Sequence, residues 1–293
     1  MNSTTPITQT PITPPWTHRF GLLAKMLVSR GRNRADLCYS FMGTENRMAG
    51  DSTFLNLGYW PEAANYQAAA EALADLLADA AGLGAGDAVL DAGCGFGDQD
   101  ARWMQRYSPA RIVAINVTDI QLEEARRRNA LPGIEYRKCS ATAVDEADAG
   151  FDAVVSLEAA FHFDSRETFL REAFRLLREG GRLGVVDLLP REQGDLLLTG
   201  GLRGAAERWL YQVPSANVYG VTRYREILES IGFKDIQIRS IREQVFPGFL
   251  KHVQTMLEDP ETKARIHPLM RLAMKHAGDP FAASDYIVVS AVK

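Results

Sequence analysis

The chain has 293 residues, 46% of them hydrophobic and 24% charged, with a formal net charge of −4. That is long enough for one large domain, or one domain with a cap, and apolar enough to bury a core. The acidic balance makes no electrostatic case for a nucleic-acid partner, and no apolar run approaches the roughly 18 residues of a membrane span.

Residues 1–15 are rich in Thr and Pro and lack the basic-then-apolar pattern of an export signal, so they read as a disordered tail of a cytoplasmic protein. Trp16 to Arg30 alternates Phe20, Leu22, Leu23, Met26 and Leu27 with charged residues, an amphipathic helix that packs on a core, covers a pocket or lies on a membrane. Phe54 to Pro61 is an aromatic turn. There Tyr59 and Trp60 offer flat apolar faces with a hydrogen-bonding edge, suited to a bound cation or ring, or to the core. Residues 16–64 are expected to form an N-terminal cap segment on an α/β domain spanning 65–293. Asn65 to Ala81 reads as a helix, with Ala69, Leu73, Leu76, Leu77 and Ala80 on one face and Gly82 and Gly84 ending it.

The stretch Val89-Leu90-Asp91-Ala92-Gly93-Cys94-Gly95-Phe96-Gly97-Asp98-Gln99-Asp100 then joins a short buried strand to a helix through a G-x-G-x-G loop. Glycines belong where the backbone turns with φ > 0 and where a ligand approaches the main chain. A dinucleotide fingerprint would need glycine at position 98, where Asp98 stands. Further strands are expected at Arg111 to Thr118, Ile134 to Lys138, Phe151 to Leu157, Gly184 to Asp187, Ile236 to Ile241 and Asp285 to Val292. Helices are expected from Asp119 to Asn129, from Asp164-Ser165 to the Gly180-Gly181 pair, and from Tyr224 to Ile231. Arg126-Arg127-Arg128 ends the first of these as a solvated basic face that complements the helix dipole. This alternation predicts a doubly wound α/β sheet of about seven strands, the last of them antiparallel. Residues 190–222 and 246–282 fall outside the rhythm and are read as cap insertions that shape a ligand crevice.

Cys38, Cys94 and Cys139 are odd in number and lack ligand spacing, so no metal site is expected. Cys94 and Cys139 read as small buried thiols of a reducing compartment. The segment Ser156-Leu157-Glu158-Ala159-Ala160-Phe161-His162-Phe163 follows the fourth strand and therefore faces the same sheet edge as the glycine loop. No G-x-S-x-G elbow and no P-loop is present.

From Phe54 to about Pro190 the chain resembles class I S-adenosylmethionine (SAM) dependent methyltransferases. The resemblance rests on Val-Leu-Asp-x-Gly-Cys-Gly-x-Gly, Asn56-Leu57-Gly58-Tyr59-Trp60, Gly97-Asp98-Gln99-Asp100, Ile115-Asn116-Val117-Thr118 and Glu158 to Phe163. Within that family it is similar to natural-product methyltransferases of the erythromycin-sugar 3″-O-methyltransferase kind. The run Arg171 to Arg178 before the glycine pair adds a generic class I signal.

The resemblance implies a SAM cofactor held by Tyr59, Asp91, Gly93, Gly95, Gly97, Asn116, Gln121, Ser140, Ala141 and Leu157, with the segment around Tyr59 closing over it. Asn116 sits where the ribose hydroxyls want an acceptor and where most members carry an acid. It is either a ribose contact assisted by Gln121 or an ordinary strand-end residue. Ser140 is a second departure, standing where members use Asp to read adenine.

Methyl transfer from a sulfonium is an in-line displacement, in which positioning and deprotonation of the acceptor supply most of the rate. His162 is the expected general base, since an imidazole titrates near neutral pH, unless it is a structural histidine between Phe161 and Phe163. Asp187 is expected to orient it or to touch substrate, alongside Trp60 and Phe161. Glu158 faces the cofactor's amine or is itself the base. The leading expectation is methylation of a hydroxyl on a small-molecule natural product. The alternative is C-methylation of an isoprenoid or lipid alkene, with Glu158 taking a proton. An NAD-dependent dehydrogenase and a non-catalytic SAM-binding module rank last.

Overall fold

In the computed structural model, residues 53–192, 213–260 and 281–293 are described. The expected helix at 16–30, Cys38, and most of both insertions lie outside them. Strands β1 (Ala88–Ala92), β2 (Arg111–Asn116), β3 (Ile134–Lys138), β4 (Phe151–Leu157), β5 (Leu177–Pro190), β6 (Lys234–Ser240) and β7 (Ser284–Val292) form one sheet in the order β3-β2-β1-β4-β5-β7-β6. The first five pair in parallel, and β7 runs antiparallel to both β5 and β6. The expected seven strands and the antiparallel last strand are therefore present. Strand order reverses at β1, so a crevice opens beside its carboxyl end, between β1 and β4.

Helices cover both faces. On one side lie α1 (Tyr66–Ala80), α2 (Asp98–Tyr107), α3 (Asp119–Arg128) and α6 (Arg242–Glu258); on the other lie α4 (Arg166–Leu176) and α5 (Val221–Ile231). Coverage on both faces is why β1 and β4 are apolar almost throughout, with no alternating polar face. Helix α1 starts where Asn65 accepts a hydrogen bond from the Ala68 amide at 2.9 Å, and it buries Ala69, Leu73 and Leu77. No described helix is long and apolar enough to cross a membrane.

Several boundaries differ from expectation. Helix α4 begins at the Ser165 cap as expected but ends at Leu176, and Leu177 already has extended backbone. The glycine pair at 180–181 lies within β5, which begins at Leu177, well before the buried stretch expected at Gly184 to Asp187. Register pairing of Phe151 with Leu177 recruits the residues before the glycines into the sheet. Strand β6 is an exposed edge, Lys234–Ser240, lacking the apolar content that marks a central strand. Helix α6 starts at Arg242 and runs through Pro247, since a proline near a helix start forfeits few amide bonds. Cys94 is buried, but Cys139 lies just after β3 and is half-buried.

Candidate active site

The glycine loop leaves β1 under tight backbone control. The Gly93 and Cys94 amides both donate to the Ile115 carbonyl, at 2.9 and 3.1 Å. Gly93 has φ +92°, and a Cβ there would stand 2.3 Å from Ala159 Cβ; Gly97 has φ +78°, and its Cβ would meet Tyr136 Oη at 2.4 Å. Only glycine satisfies both the conformation and the space. Gln99 then locks the turn, its Nε2 donating to Asp91 Oδ2 at 3.0 Å and to the Cys94 carbonyl at 2.9 Å.

Beneath the loop lie two buried carboxyl groups, Asp91 and Asp100. Asp91 Oδ1 and both oxygens of Asp100 are buried without a hydrogen-bond partner. Burial pushes both groups above the usual carboxylate range, and for Asp100 the neighbouring Asp91 charge adds to it.

At the end of β2 the expected pair meets. Asn116 Nδ2 donates to Gln121 Oε1 at 2.8 Å and approaches the Gly95 carbonyl at 3.4 Å, while its Oδ1 accepts from the Val117 amide. Gln121 itself is buried. After β3, Ser140 Oγ lies 2.9 Å from Thr142 Oγ1 and accepts from the Thr142 amide, next to the buried Ala141.

The aromatic turn is fastened over this edge at several points. Thr53 donates to the Asp98 carboxylate from its amide and, at 2.5 Å, from its hydroxyl. The Tyr59 amide donates to the Ala69 carbonyl at 2.8 Å, and the Trp60 amide to Gln244 at 3.0 Å. Trp60 Nε1 donates to the Leu57 carbonyl at 2.8 Å, and the His252 ring of α6 lies 5.5 Å from the indole and 5.2 Å from Tyr66.

Leu157 ends β4, and Glu158 follows in the left-handed region at φ 51°, a strained position for a residue with a side chain. Its carboxylate accepts from the Leu57 amide at 2.6 Å and from the Tyr286 hydroxyl, so it ties the aromatic turn to β4 and β7. Burial pushes the Glu158 carboxyl up to about 7, against the two donated bonds.

The next turn, Ala160–His162, carries the candidate base, with Phe161 and His162 half-buried beside the glycine loop. A correction concerns Asp187. Its carboxylate is fully buried and engaged by Arg166, whose Nε donates at 2.6 Å, and by the Leu188 amide at 2.9 Å. Burial opposes the charge on Arg166, and the Asp187 carboxylate outweighs it, holding the guanidinium above its ordinary range. Asp187 therefore belongs to an internal ion pair and is not the substrate-touching group expected; it meets the turn of His162 through the backbone, where its carboxylate accepts from the Phe161 amide. The sequence signal was incomplete because Arg166 lies 21 positions away, inside a helix-capping pattern.

Sequence reasoning also missed Asp100, Tyr286 and Asn217. Tyr286 and Asn217 owe their roles to contacts distant in the chain, and Asp100, inside the glycine motif, to the burial of its carboxyl beside Asp91. Among the described residues, no three His, Cys, Asp or Glu side chains form a group that could hold a metal.

A reversed-order sheet, a glycine cradle that excludes side chains at Gly93 and Gly97, and polar residues closing the end of β2 together define the class I methyltransferase architecture. Residues 90–185 match the family model described as a methyltransferase domain. Erythromycin 3″-O-methyltransferase of Saccharopolyspora erythraea is 32% identical over 286 residues, which cover 90% of this chain and 91% of that protein. The 27-O-demethylrifamycin SV methyltransferase of Amycolatopsis mediterranei is 35% identical over 67% of this chain and 72% of its own. A solved structure of geranyl diphosphate C-methyltransferase from Streptomyces coelicolor, bound to S-adenosyl-L-homocysteine, matches with a TM-score of 0.65. It covers 97% of this chain and 99% of that one at 14% identity, a likeness of fold.

The chain belongs to the class I SAM-dependent methyltransferases and is an enzyme that uses SAM as its cofactor. The residues present fit that cofactor. Side chains at Gly93 and Gly97 would collide with Ala159 and Tyr136, so the loop stays bare backbone that a ligand can approach, and the Asp91 carboxyl is buried beneath it.

Proposed function

We propose that this enzyme methylates a hydroxyl group of a small-molecule natural product, a sugar, polyketide or related secondary metabolite, with His162 as general base. The observation that carries the reading is the packing of the His162 turn on the cofactor loop, so tight that a Gly93 Cβ would stand 2.3 Å from Ala159 and 3.6 Å from the Phe163 ring. A group on that turn borders the crevice in which the cofactor is held. The natural-product O-methyltransferases to which the chain is similar support the hydroxyl target.

When bound, the cofactor supplies an electrophilic methyl group on a positively charged sulfur. Gly93, Gly95 and Gly97 let the backbone approach its methionine part, with Asp91, Tyr59 and Leu157 around it, and Asn116 with Gln121 takes the ribose. Ser140 and Ala141 border the adenine. Trp60 and Phe161 would lie against the acceptor. His162 would accept the proton of the acceptor hydroxyl, leaving its oxygen free to take the methyl group that the bound cofactor would supply. Glu158 keeps the aromatic turn closed through Leu57.

One observation favours a second reading, C-methylation of an isoprenoid or lipid alkene. Burial brings the Glu158 carboxyl to about 7, a value suited to a base. Variants separate the two. Under the leading reading, methyl-labelled SAM with a panel of hydroxylated glycosides and polyketides labels an oxygen, and His162→Ala lowers turnover about 100-fold or more. Label on carbon from a prenyl acceptor, with His162→Ala active and Glu158→Gln dead, overturns it in favour of the second.

A further inference from the structure

We infer that Asn217 is the positioning residue for His162, fixing the backbone of the turn that carries it. Only the identification of His162 as the base rests on the proposed function; the placement of the turn does not. Asn217 is 1% exposed and ends a short 3-10 turn, Ser215–Asn217, far from His162 in sequence. Its Nδ2 donates to the Phe161 carbonyl at 3.2 Å and to the Phe163 carbonyl at 2.6 Å, the two residues that flank His162. Its Oδ1 accepts from the Arg166 amide at 2.6 Å, at the first residue of α4.

One side chain thus satisfies two carbonyls before the helix and one of the amide donors that a helix start leaves unpaired. The two carbonyls fix the amide orientation, since only the NH2 group can face both. Neither Asp nor Leu can replace it: Asp has no donor to offer, and Leu has neither donor nor acceptor. Asn217 is itself held, because its carbonyl accepts from Arg166 Nη1 at 2.9 Å while Arg166 Nε binds Asp187. The buried Arg166–Asp187 pair therefore anchors Asn217, and Asn217 fixes the His162 turn.

The test uses the full chain labelled with 15N-histidine, with the His162 ring signal assigned by its loss in His162→Ala. Wild type, Asn217→Ala and Asn217→Asp are titrated with pH, and binding of S-adenosylhomocysteine is measured by calorimetry. Expected is S-adenosylhomocysteine affinity within about twofold of wild type, with the His162 ring signal displaced and its titration midpoint moved in both variants. A His162 signal and midpoint coincident with wild type in a variant that still binds S-adenosylhomocysteine overturns the inference. Should both variants lose that binding through misfolding, the wild type decides alone. Its Asn217 side-chain amide protons are then expected to resist solvent exchange, and rapid exchange overturns the inference. His162→Ala that still transfers methyl groups removes the base reading and leaves the Asn217–His162 coupling to be judged by the ring signal.

Discussion

Asp91 and Asp100 bury two carboxyl groups side by side under the cofactor loop, where Gln99 donates to Asp91. Both are pushed up, foremost by burial. An acid raised in the folded state binds more protons folded than unfolded between its two values, so stability falls as pH rises through that window. Asp100→Asn removes one ionisable group and gives Asp91 a neighbour that can donate. It is expected to raise the melting midpoint at pH 8 by several degrees, at about 2–4 °C per kcal/mol, and to change it little at pH 5. An equal rise at both pH values would assign the effect to packing. Glu158 follows the same sign rule, with a window that closes near pH 7, while the bonds from Leu57 and Tyr286 pull the other way. Of these carboxyls, Asp91 and Glu158 were legible from motif positions. Asp100 was not, because its chemistry comes from burial beside Asp91, and that is a property of the packed interior.

At the scale of elements, α6 and the aromatic turn meet through Gly248. A Cβ there would fall 2.2 Å from Trp60 Cγ, inside the indole. Two effects compete in Gly248→Ala. Helix propensity favours Ala by about 1 kcal/mol in the interior of Arg242–Glu258, whereas overpacking costs about 1–3 kcal/mol. The indole is clamped by its bond to Leu57 and by Tyr66 and His252, so it cannot swing aside cheaply and the steric cost is expected to win. Denaturant unfolding should show a loss of stability with a changed Trp60 emission; a gain in stability would refute this account of the contact. The pair Arg166–Asp187 is the other joint between elements, linking α4 to β5 and to the turn at 215–217. Removing one partner of a buried, hydrogen-bonded pair costs about 3–5 kcal/mol. Asp187→Ala should therefore unfold at markedly lower denaturant, and a variant of wild-type stability that has lost only activity would restore Asp187 to the substrate side.

For the molecule as a whole, the sheet gathers residues from along the chain at one edge. Gly93, Asn116, Ser140 and Glu158 each follow the carboxyl end of a successive parallel strand, so a linear sequence of strand ends becomes one crevice. That much was determined by the sequence itself. The doubly wound parallel sheet follows from alternating apolar runs and helices, and the glycine spacing from backbone conformations that no other residue adopts without strain. The pairing of Asn116 with Gln121 was implied by the family resemblance, and the two side chains do meet, at 2.8 Å. What only the tertiary structure decided are the long-range partners. Tyr286 reaches Glu158 across 128 positions, Asn217 reaches Phe163 across 54, and Arg166 pairs with Asp187 across 21. Local spacing encodes backbone shape and periodic burial. It does not encode which buried polar group finds which donor, because that choice is made when the helices close over the sheet and the interior hydrogen-bonding groups compete for partners together.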